Sequence, residues 1–535
     1  MAVTDLARWS SSTASSGAAL LFAIFALALF SPSLARADCG CGSTDPLSAC
    51  MGRSASYEVG GSTIEFQFRC DGGDCRCGQF ANRHDYWVAP SSDGGTVTIT
   101  GMTPAQTGSG SGLTNGAVAD PSTTDEVQGW NGSLRYEPSL TVKVPYVVNT
   151  SSVGRPVVLM KARSHPSNTP SDTTYCNNER MCLEHVEALT IVASPPGDVF
   201  RPPYFGTEKP MIPASRFDVS VLPSLAPTGK EDSYASALSS VTSVAVDHMW
   251  SWSTRQLFHP KVNYGTPHSG YDGYVTQNEL GANLTMLLQP RNAAEAAQRE
   301  LLARRVAQRG IDLYYIFKNG GQDNHPMCGG WFGTGGFGTG RLPTILISTT
   351  LLGMHGSWGE HLDQVLSTTE GRQCFAETSL IQPPNPRGKN VPLFGHITTS
   401  VYTVSGGKTA ADPRGLIDGG GNATSACVSA YQSCCTSAIF RGGAMAMWLV
   451  PAVMERFPAG AAHWLQFVDR TTTVGAYCSA DSFEATPYNE NYPVPGANEL
   501  YSQYRACSKN YSCAGMSNPG RVSNPGPPLA PVLLD

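Results

Sequence analysis

The sharpest constraint on this chain is a change of periodicity across a proline-rich stretch. Before residue 195, apolar residues alternate with polar ones in short runs, the period of an extended strand with one buried face. STIEFQF, TVTITGM, LTVKVPYVV, RPVVLMKA and EALTIVA are rich in β-branched residues and separated by Gly, Ser and Pro turns. From Pro195 to Pro227 there are eight prolines, which lack the amide hydrogen a helix interior needs. After about residue 233 the apolar positions recur at helical spacing. The pattern predicts a multidomain α and β chain: an antiparallel β-sandwich over 38–195, a Pro-rich linker over 196–232, an (α/α) helical toroid over 233–515 and a Pro-rich tail over 516–535. Phe200, Tyr204, Phe205 and Phe217 predict that the linker packs along a domain. Trp87, in HDYWVAP, reads as core.

The helical half is organised around Arg309 to Gly353. AAEAAQRELLARRVAQRGIDLYYIF, from Ala293, is rich in good helix formers, with Leu301, Leu302, Val306, Leu313 and Phe317 on one face. TILISTTLLG is apolar nearly all round and predicts a buried second helix, with Pro343 suited to its first turn. Between them runs a glycine-rich loop that also carries Asp323, His325, Trp331, Phe337 and Arg341. Aromatic and polar residues on a loop between two core helices predict a ligand site.

Residues 1–37 read as a secretory signal. Ala18 to Phe30 is apolar but short for a membrane span, and Ala35-Arg36-Ala37 suits a cleavage site. The expected localisation is secreted, with no membrane partner once the signal is removed. All 16 cysteines follow this segment, which predicts disulfides, including a local Cys176–Cys182 pair. Asn131, Asn149, Asn283, Asn422 and Asn510 each begin a glycosylation sequon. The net charge of −6 comes with no basic stretch, which argues against nucleic acid. Gly333-x-Gly335-x-x-Gly338 matches a dinucleotide fingerprint, but an exported, cysteine-rich chain argues against a nucleotide, so no cofactor is expected. The CxC spacings could hold zinc, but with no two-by-two CxxC array they read as disulfides, and no metal is expected.

Six pieces occur in the order found in a group of uncharacterised exported bacterial proteins. They are DYWV (Asp85–Val88), RPPYFGTEKP (Arg201–Pro210), DHMWSWSTRQLFHP (Asp247–Pro260), GIDLY (Gly310–Tyr314), GGFGTGR (Gly335–Arg341) and CCTSA (Cys434–Ala438). The chain resembles that group, whose general shape is similar to α/α-toroid polysaccharide lyases and glycoside hydrolases with an N-terminal β-sandwich. The resemblance implies a secreted enzyme acting on an extended polysaccharide. Phe337 and Leu342 stand where the group has His and Lys, and Tyr271-Asp272-Gly273 stands where it has Tyr-Gly-Arg. A non-catalytic carbohydrate-binding or adhesion protein is the alternative.

A glycoside hydrolase needs two carboxyl groups about the scissile bond, and Asp272, Asp323, Glu360, Asp363 and Glu377 are candidates. Glu377 matches a carboxylate of the group's Phe-x-Glu-Asp pattern. A lyase needs a base beside a uronate and a group that neutralises its carboxylate. His259, Tyr271 and Arg341 suit those roles. The expected catalytic set is therefore His259, Tyr271, Asp272, Glu377 and Arg341. Lys318, Asn319, His325, Trp331, Phe337 and Trp358 are expected to hold the polymer. Arg341 also has a structural reading, as the partner of Asp323 or Asp312, and His248 reads equally as a satisfied interior histidine.

Overall fold

A computed structural model describes residues 50–122, 137–164, 183–248, 273–319, 340–366, 379–381, 393–395, 437–456 and 494–508. The chain has mixed α and β content, with two sheets in its N-terminal region and helices later.

The first sheet has six strands in the order β1-β4-β5-β10-β9-β7: β1 (Cys50–Gly52), β4 (Cys75–Gln79), β5 (Tyr86–Ala89), β10 (Leu183–Ile191), β9 (Val157–Ser164) and β7 (Ala117–Ala119). The second has four, in the order β2-β3-β6-β8: β2 (Ser54–Val59), β3 (Ser62–Cys70), β6 (Thr96–Thr103) and β8 (Tyr146–Asn149). One pairing departs from the antiparallel expectation. β10 runs parallel to β5, with Leu189 opposite Tyr86. Nearly a hundred residues separate these strands, so no hairpin dictates their direction. LTVKVPYVV is also shorter as a strand than its pattern suggested. Pro145 has no N–H for the ladder, and pairing starts after it, at Tyr146.

The alternation has a direct structural meaning. Ile64, Phe66 and Phe68 of β3 are buried while Gln67 and Arg69 are exposed. They join Tyr57, Val97, Ile99 and Val148 from the same sheet, and Leu159, Leu189 and Ile191 from the other, in one apolar cluster. Trp87 is buried, as expected of a core residue, in a small cluster with Phe80, Ala89 and Val192. Its ring lies over Gly78, where a Cβ would come within 2.6 Å of it. Cys70 and Cys75 form a disulfide; Cys176 and Cys182 lie outside the described residues.

Val158, Met160, Val186 and Ala188 of the six-stranded sheet face the helices, in a second and larger cluster with Leu302, Val306, Ile311, Ile345 and Leu346. The described helices that build it include α1 (Tyr234–Ser240), α2 (Gly273–Thr285), α3 (Ala293–Asn319), α4 (Arg341–Leu351), α5 (Glu360–Leu366), α6 (Ser437–Trp448), α7 (Pro451–Arg456) and α8 (Ala497–Ser508). Phe200, Tyr204 and Phe205, from the proline-rich stretch, are buried in the same cluster. α1 ends at Ser240. After Ser239-Ser240 come Val241 and Thr242, poor helix formers, and the Val244 amide leaves the helix to donate to the Val186 carbonyl of β10.

α3 and α4 agree with the sequence reading and pack closely. Gly310 makes this possible: a Cβ there would lie 2.0 Å from the Ser348 hydroxyl. Ser348 Oγ donates to the Val306 carbonyl at 2.9 Å, tying α4 to α3 directly. Asn283, the α2 sequon, is fully buried and donates to Thr344 Oγ1 at 2.9 Å. It is closed to a glycan in the folded chain, whereas the Asn149 sequon is exposed.

Candidate functional site

Charged residues meet where the six-stranded sheet faces the helices. Arg201 is 1% exposed and bridges two carboxylates. Its Nε donates to Asp85 Oδ2 at 2.5 Å, its Nη1 to Asp312 Oδ1 at 3.1 Å and its Nη2 to Asp312 Oδ2 at 2.5 Å. Asp85 begins β5's lead-in, Arg201 comes from the proline-rich stretch and Asp312 from the middle of α3, so one guanidinium fastens three separate elements. The Tyr204 amide donates to Asp312 Oδ1 at 3.2 Å. The Tyr204 hydroxyl accepts from the Asp247 amide at 3.0 Å and lies 3.2 Å from His248 Nδ1. Arg341 then forks onto Asp247, Nε to Oδ2 at 2.7 Å and Nη2 to Oδ1 at 3.0 Å.

A second branch runs along the sheet. His84 Nε2 is 2.6 Å from Glu187 Oε2, and Ser243 Oγ donates to Glu187 Oε1 at 3.1 Å. His185 Nδ1 is 3.1 Å from that serine oxygen. On α3, Arg305 Nη1 donates to Thr242 Oγ1 at 2.6 Å, and Arg309 pairs with Glu279 at 3.3 Å.

Burial raises the proton affinity of Asp85, Asp312 and Glu187, and neighbours decide the outcome. For Asp85, burial is outweighed by the charges of Arg201 and His84 and by hydrogen bonds from Arg201 and Asn82, so its pKa falls. Asp312 shares the same arginine, yet burial wins and its pKa rises. The Asn82 amide on Asp85 accounts for part of the difference. Burial also lifts Glu187, against the opposing pull of His84. Burial pushes Arg305 down to about 10, although part of its side chain reaches solvent. Its guanidinium remains charged at any physiological pH.

His84, Asp85 and Glu187 bring ligand-type atoms within 4.8 Å of one another. These atoms do not suit a metal ion. The imidazole and the Glu187 carboxylate already meet at hydrogen-bonding distance. Asp85 Oδ2 is taken by Arg201 and Asn82, and the guanidiniums of Arg201 and Arg305 would repel a cation. The cavity lined by Asn82, His84, Arg201, Gln308 and Asp312 has about 20 Å³, room for a water but not for a sugar. The cluster is a fastening rather than a substrate site.

Arg341 is 1% exposed, and among the described residues it pairs with Asp247 rather than with Asp312; Asp323 lies outside those residues. His248 is an interior residue, stacked on Phe205 with ring centroids 5.2 Å apart. Trp358 is 2% exposed and stacks on Tyr314 at 4.4 Å. Lys318 pairs with Glu208 at 2.6 Å and lies 5.7 Å over the Tyr315 ring. Asn319 is half-buried against Gly206. Lys318, Asn319 and Trp358 thus gather at the C-terminal end of α3, where the glycine-rich loop leaves. Glu360 and Asp363 are exposed in the first turn of α5. His259, Tyr271, Asp272, His325, Trp331, Phe337 and Glu377 lie outside the described residues.

No family model, curated protein or solved structure matches this chain. Among the described residues, no helix is long and apolar enough to cross a membrane.

Sequence reasoning missed Asp85, His84, Glu187, Arg201, Asp247 and Asp312 as a connected set. One signal was present. Asp312 interrupts the apolar run IDLYYIF, and a charge inside a buried helix face needs a partner. Five of the six quoted motifs supply the network: Asp85, Arg201 with Tyr204, Asp247 with His248, Asp312 and Arg341.

Proposed function

We propose that the chain is an exported carbohydrate-active enzyme, a polysaccharide lyase or glycoside hydrolase, with a β-sandwich followed by an α/α toroid whose loops take an extended polysaccharide. One observation carries this reading. α3 and α4 are packed against each other, and both ends of the glycine-rich loop are fixed, at Lys318 and Asn319 on one side and at Arg341 on the other. A loop bearing His325, Trp331 and Phe337 on such a frame is the arrangement a binding site needs. In this reading Arg341 does not touch substrate. It pins the loop's end through Asp247, and His259, Tyr271, Asp272 and Glu377 remain to carry acid–base chemistry.

The second reading, a non-catalytic extracellular carbohydrate-binding or adhesion protein, draws on a specific observation. Arg341 and Trp358, assigned to neutralisation and stacking, are both committed to the interior. Incubating the full chain with a panel of acidic and neutral polysaccharides separates the two. Absorbance from an unsaturated uronate marks a lyase, and new reducing ends without it mark a hydrolase. Retention on a polysaccharide gel with no product favours the binder. Neither product nor retention on any member overturns both readings.

A further inference from the structure

The four-stranded sheet has one face packed on the apolar cluster and, among the described residues, one face uncovered. On that outer face, among β2, β3 and β6, lies a groove of about 700 Å³, within the size range of ligand sites. Its lining is chiefly Arg53, Ser54, Glu65, Gln67, Arg69 and Thr100. The β3–β6 register shifts between Gln67 and Phe68, and such a bulge bends the strand locally. One wall is the Gly72-Gly73 turn. It is held by reciprocal backbone hydrogen bonds between Cys70 and Gly73 at 3.0 Å and by the Cys70–Cys75 disulfide. That wall is therefore fixed by backbone hydrogen bonds and a covalent bond.

Its chemistry is mixed but not balanced along its length. Arg53 is engaged by Asp74, and the Gln67 amide donates to Glu65 at 3.4 Å. Arg69 is exposed and pairs with nothing among the described residues. Glu65 lies four residues away along the strand, roughly 13 Å at strand rise. One end of the groove thus offers an uncompensated guanidinium, and the rest offers hydroxyl, amide and carboxylate groups.

We propose that this groove binds an acidic polysaccharide, with a uronate carboxylate on Arg69 and ring hydroxyls hydrogen-bonded by Gln67, Glu65 and Thr100. The planar fork of a guanidinium matches a carboxylate in two parallel hydrogen bonds. Glu65 accepts from hydroxyls and disfavours a second acidic group at its own end. One unpaired cation is too few for a nucleic-acid backbone, whose affinity depends on many phosphate contacts. The choice of a glycan rests on the polysaccharide reading above. The groove sits on the four-stranded sheet and provides a second foothold on the same polymer.

The test is binding of the full, oxidised chain to polygalacturonate and to dextran at low ionic strength. Three variants lie on the solvent face and are checked for unchanged melting: Arg69→Ala, Glu65→Gln and Thr100→Trp. The expected result is binding of polygalacturonate in preference to dextran. Arg69→Ala weakens it roughly tenfold, the scale of one hydrogen-bonded charge. Thr100→Trp, which fills the groove, weakens it as well, and Glu65→Gln strengthens it. Polygalacturonate binding that all three variants leave unchanged overturns the groove and leaves the polysaccharide reading standing. Equal binding of dextran overturns the acidic class. Binding of neither polymer, in a chain that also binds nothing on the wider panel, overturns groove and reading together.

Discussion

Between the two sheets the interior is nearly all hydrocarbon: Ile64, Phe66, Phe68, Val97, Ile99, Leu159, Leu189 and Ile191. Between the six-stranded sheet and the helices it is crossed by Arg201, Asp85, Asp312, Asp247 and Arg341, all buried. The two interiors specify structure differently. Hydrocarbon rewards volume and tolerates many arrangements of similar packing. A guanidinium forked onto one carboxylate and bonded to another admits a single relative placement of β5, the proline-rich stretch and α3. It also makes that placement fragile, because removing one partner leaves uncompensated buried charge.

The largest expected effect follows from that fragility. Arg201→Met should cost about 3–5 kcal/mol of stability, the usual range for breaking a buried ion pair from one side. Ile99→Val, in the hydrocarbon interior, should cost about 0.5–1.5 kcal/mol. Urea midpoints of the two variants give the comparison. A loss below about 1 kcal/mol for Arg201→Met would show that the junction is held by its apolar contacts alone. Adding Asp85→Asn and Asp312→Asn to Arg201→Met should recover part of the loss, since no unpaired carboxylate then remains.

The same contrast explains what could be read from the chain in advance. The sheet interior is encoded locally: STIEFQF states by its alternation that Ile64, Phe66 and Phe68 share a face. α3 and α4 were legible for the same reason, since their patterns run over several turns. The parallel β5–β10 pair and the Asp85–Arg201–Asp312 bridge join residues more than a hundred positions apart. No local period records them. The charged residues of the quoted motifs were visible one at a time, but their meeting depends on the tertiary fold. Arg341 illustrates the limit: its structural role was weighed, yet its partner Asp247 belongs to another element and had no sequence signature.

Lys161 tests the boundary between the two interiors. It is fully buried on β9, and its Nζ donates to the Asn115 carbonyl. Burial alone drives its pKa down to about 7, while the unfolded chain keeps a lysine near about 10.4. Between those values the unfolded state binds more protons than the folded one, so stability rises with pH. At about 1.4 kcal/mol per pH unit, the gain from pH 7 to pH 9 should be about 2–3 kcal/mol. Lys161→Met should be more stable than the parent at pH 7 and should lose that slope. Parallel curves for the two proteins would place the titration elsewhere.

Gly310→Ala probes the helix pair that frames the loop. Its new Cβ would fall 2.0 Å from Ser348 Oγ and 3.1 Å from the Thr344 carbonyl oxygen. Overpacking of this kind costs about 1–3 kcal/mol. Ser348→Gly in the same chain should restore part of the loss by clearing the contact, at its own cost in helix propensity. If the double variant is no better than Gly310→Ala, the strain lies in the α3 backbone rather than at the crossing. A shift of the loop's anchor would also lower polysaccharide binding by acidic and neutral polymers alike.

The smallest expected effect lies on the outer face of the four-stranded sheet. Arg69 and Thr100 are exposed there, and Arg69 pairs with nothing among the described residues. Surface substitutions away from caps, ion pairs and special backbone conformations usually change stability by less than about 0.5 kcal/mol. Arg69→Ala and Thr100→Val should therefore leave the urea midpoint almost unmoved. Thr100→Val keeps the β-branched shape that suits β6 while removing the hydroxyl. A cost above about 1 kcal/mol for Arg69→Ala would mean that the guanidinium holds the Gly72-Gly73 turn in place, and its effect on glycan binding would then reflect the shape of the wall. An unmoved midpoint together with weakened polygalacturonate binding separates a residue kept for its ligand from one kept for the fold. It would also put the two faces of β3 in opposite roles, Phe66 and Phe68 holding the sheets together and Arg69 addressing what lies outside.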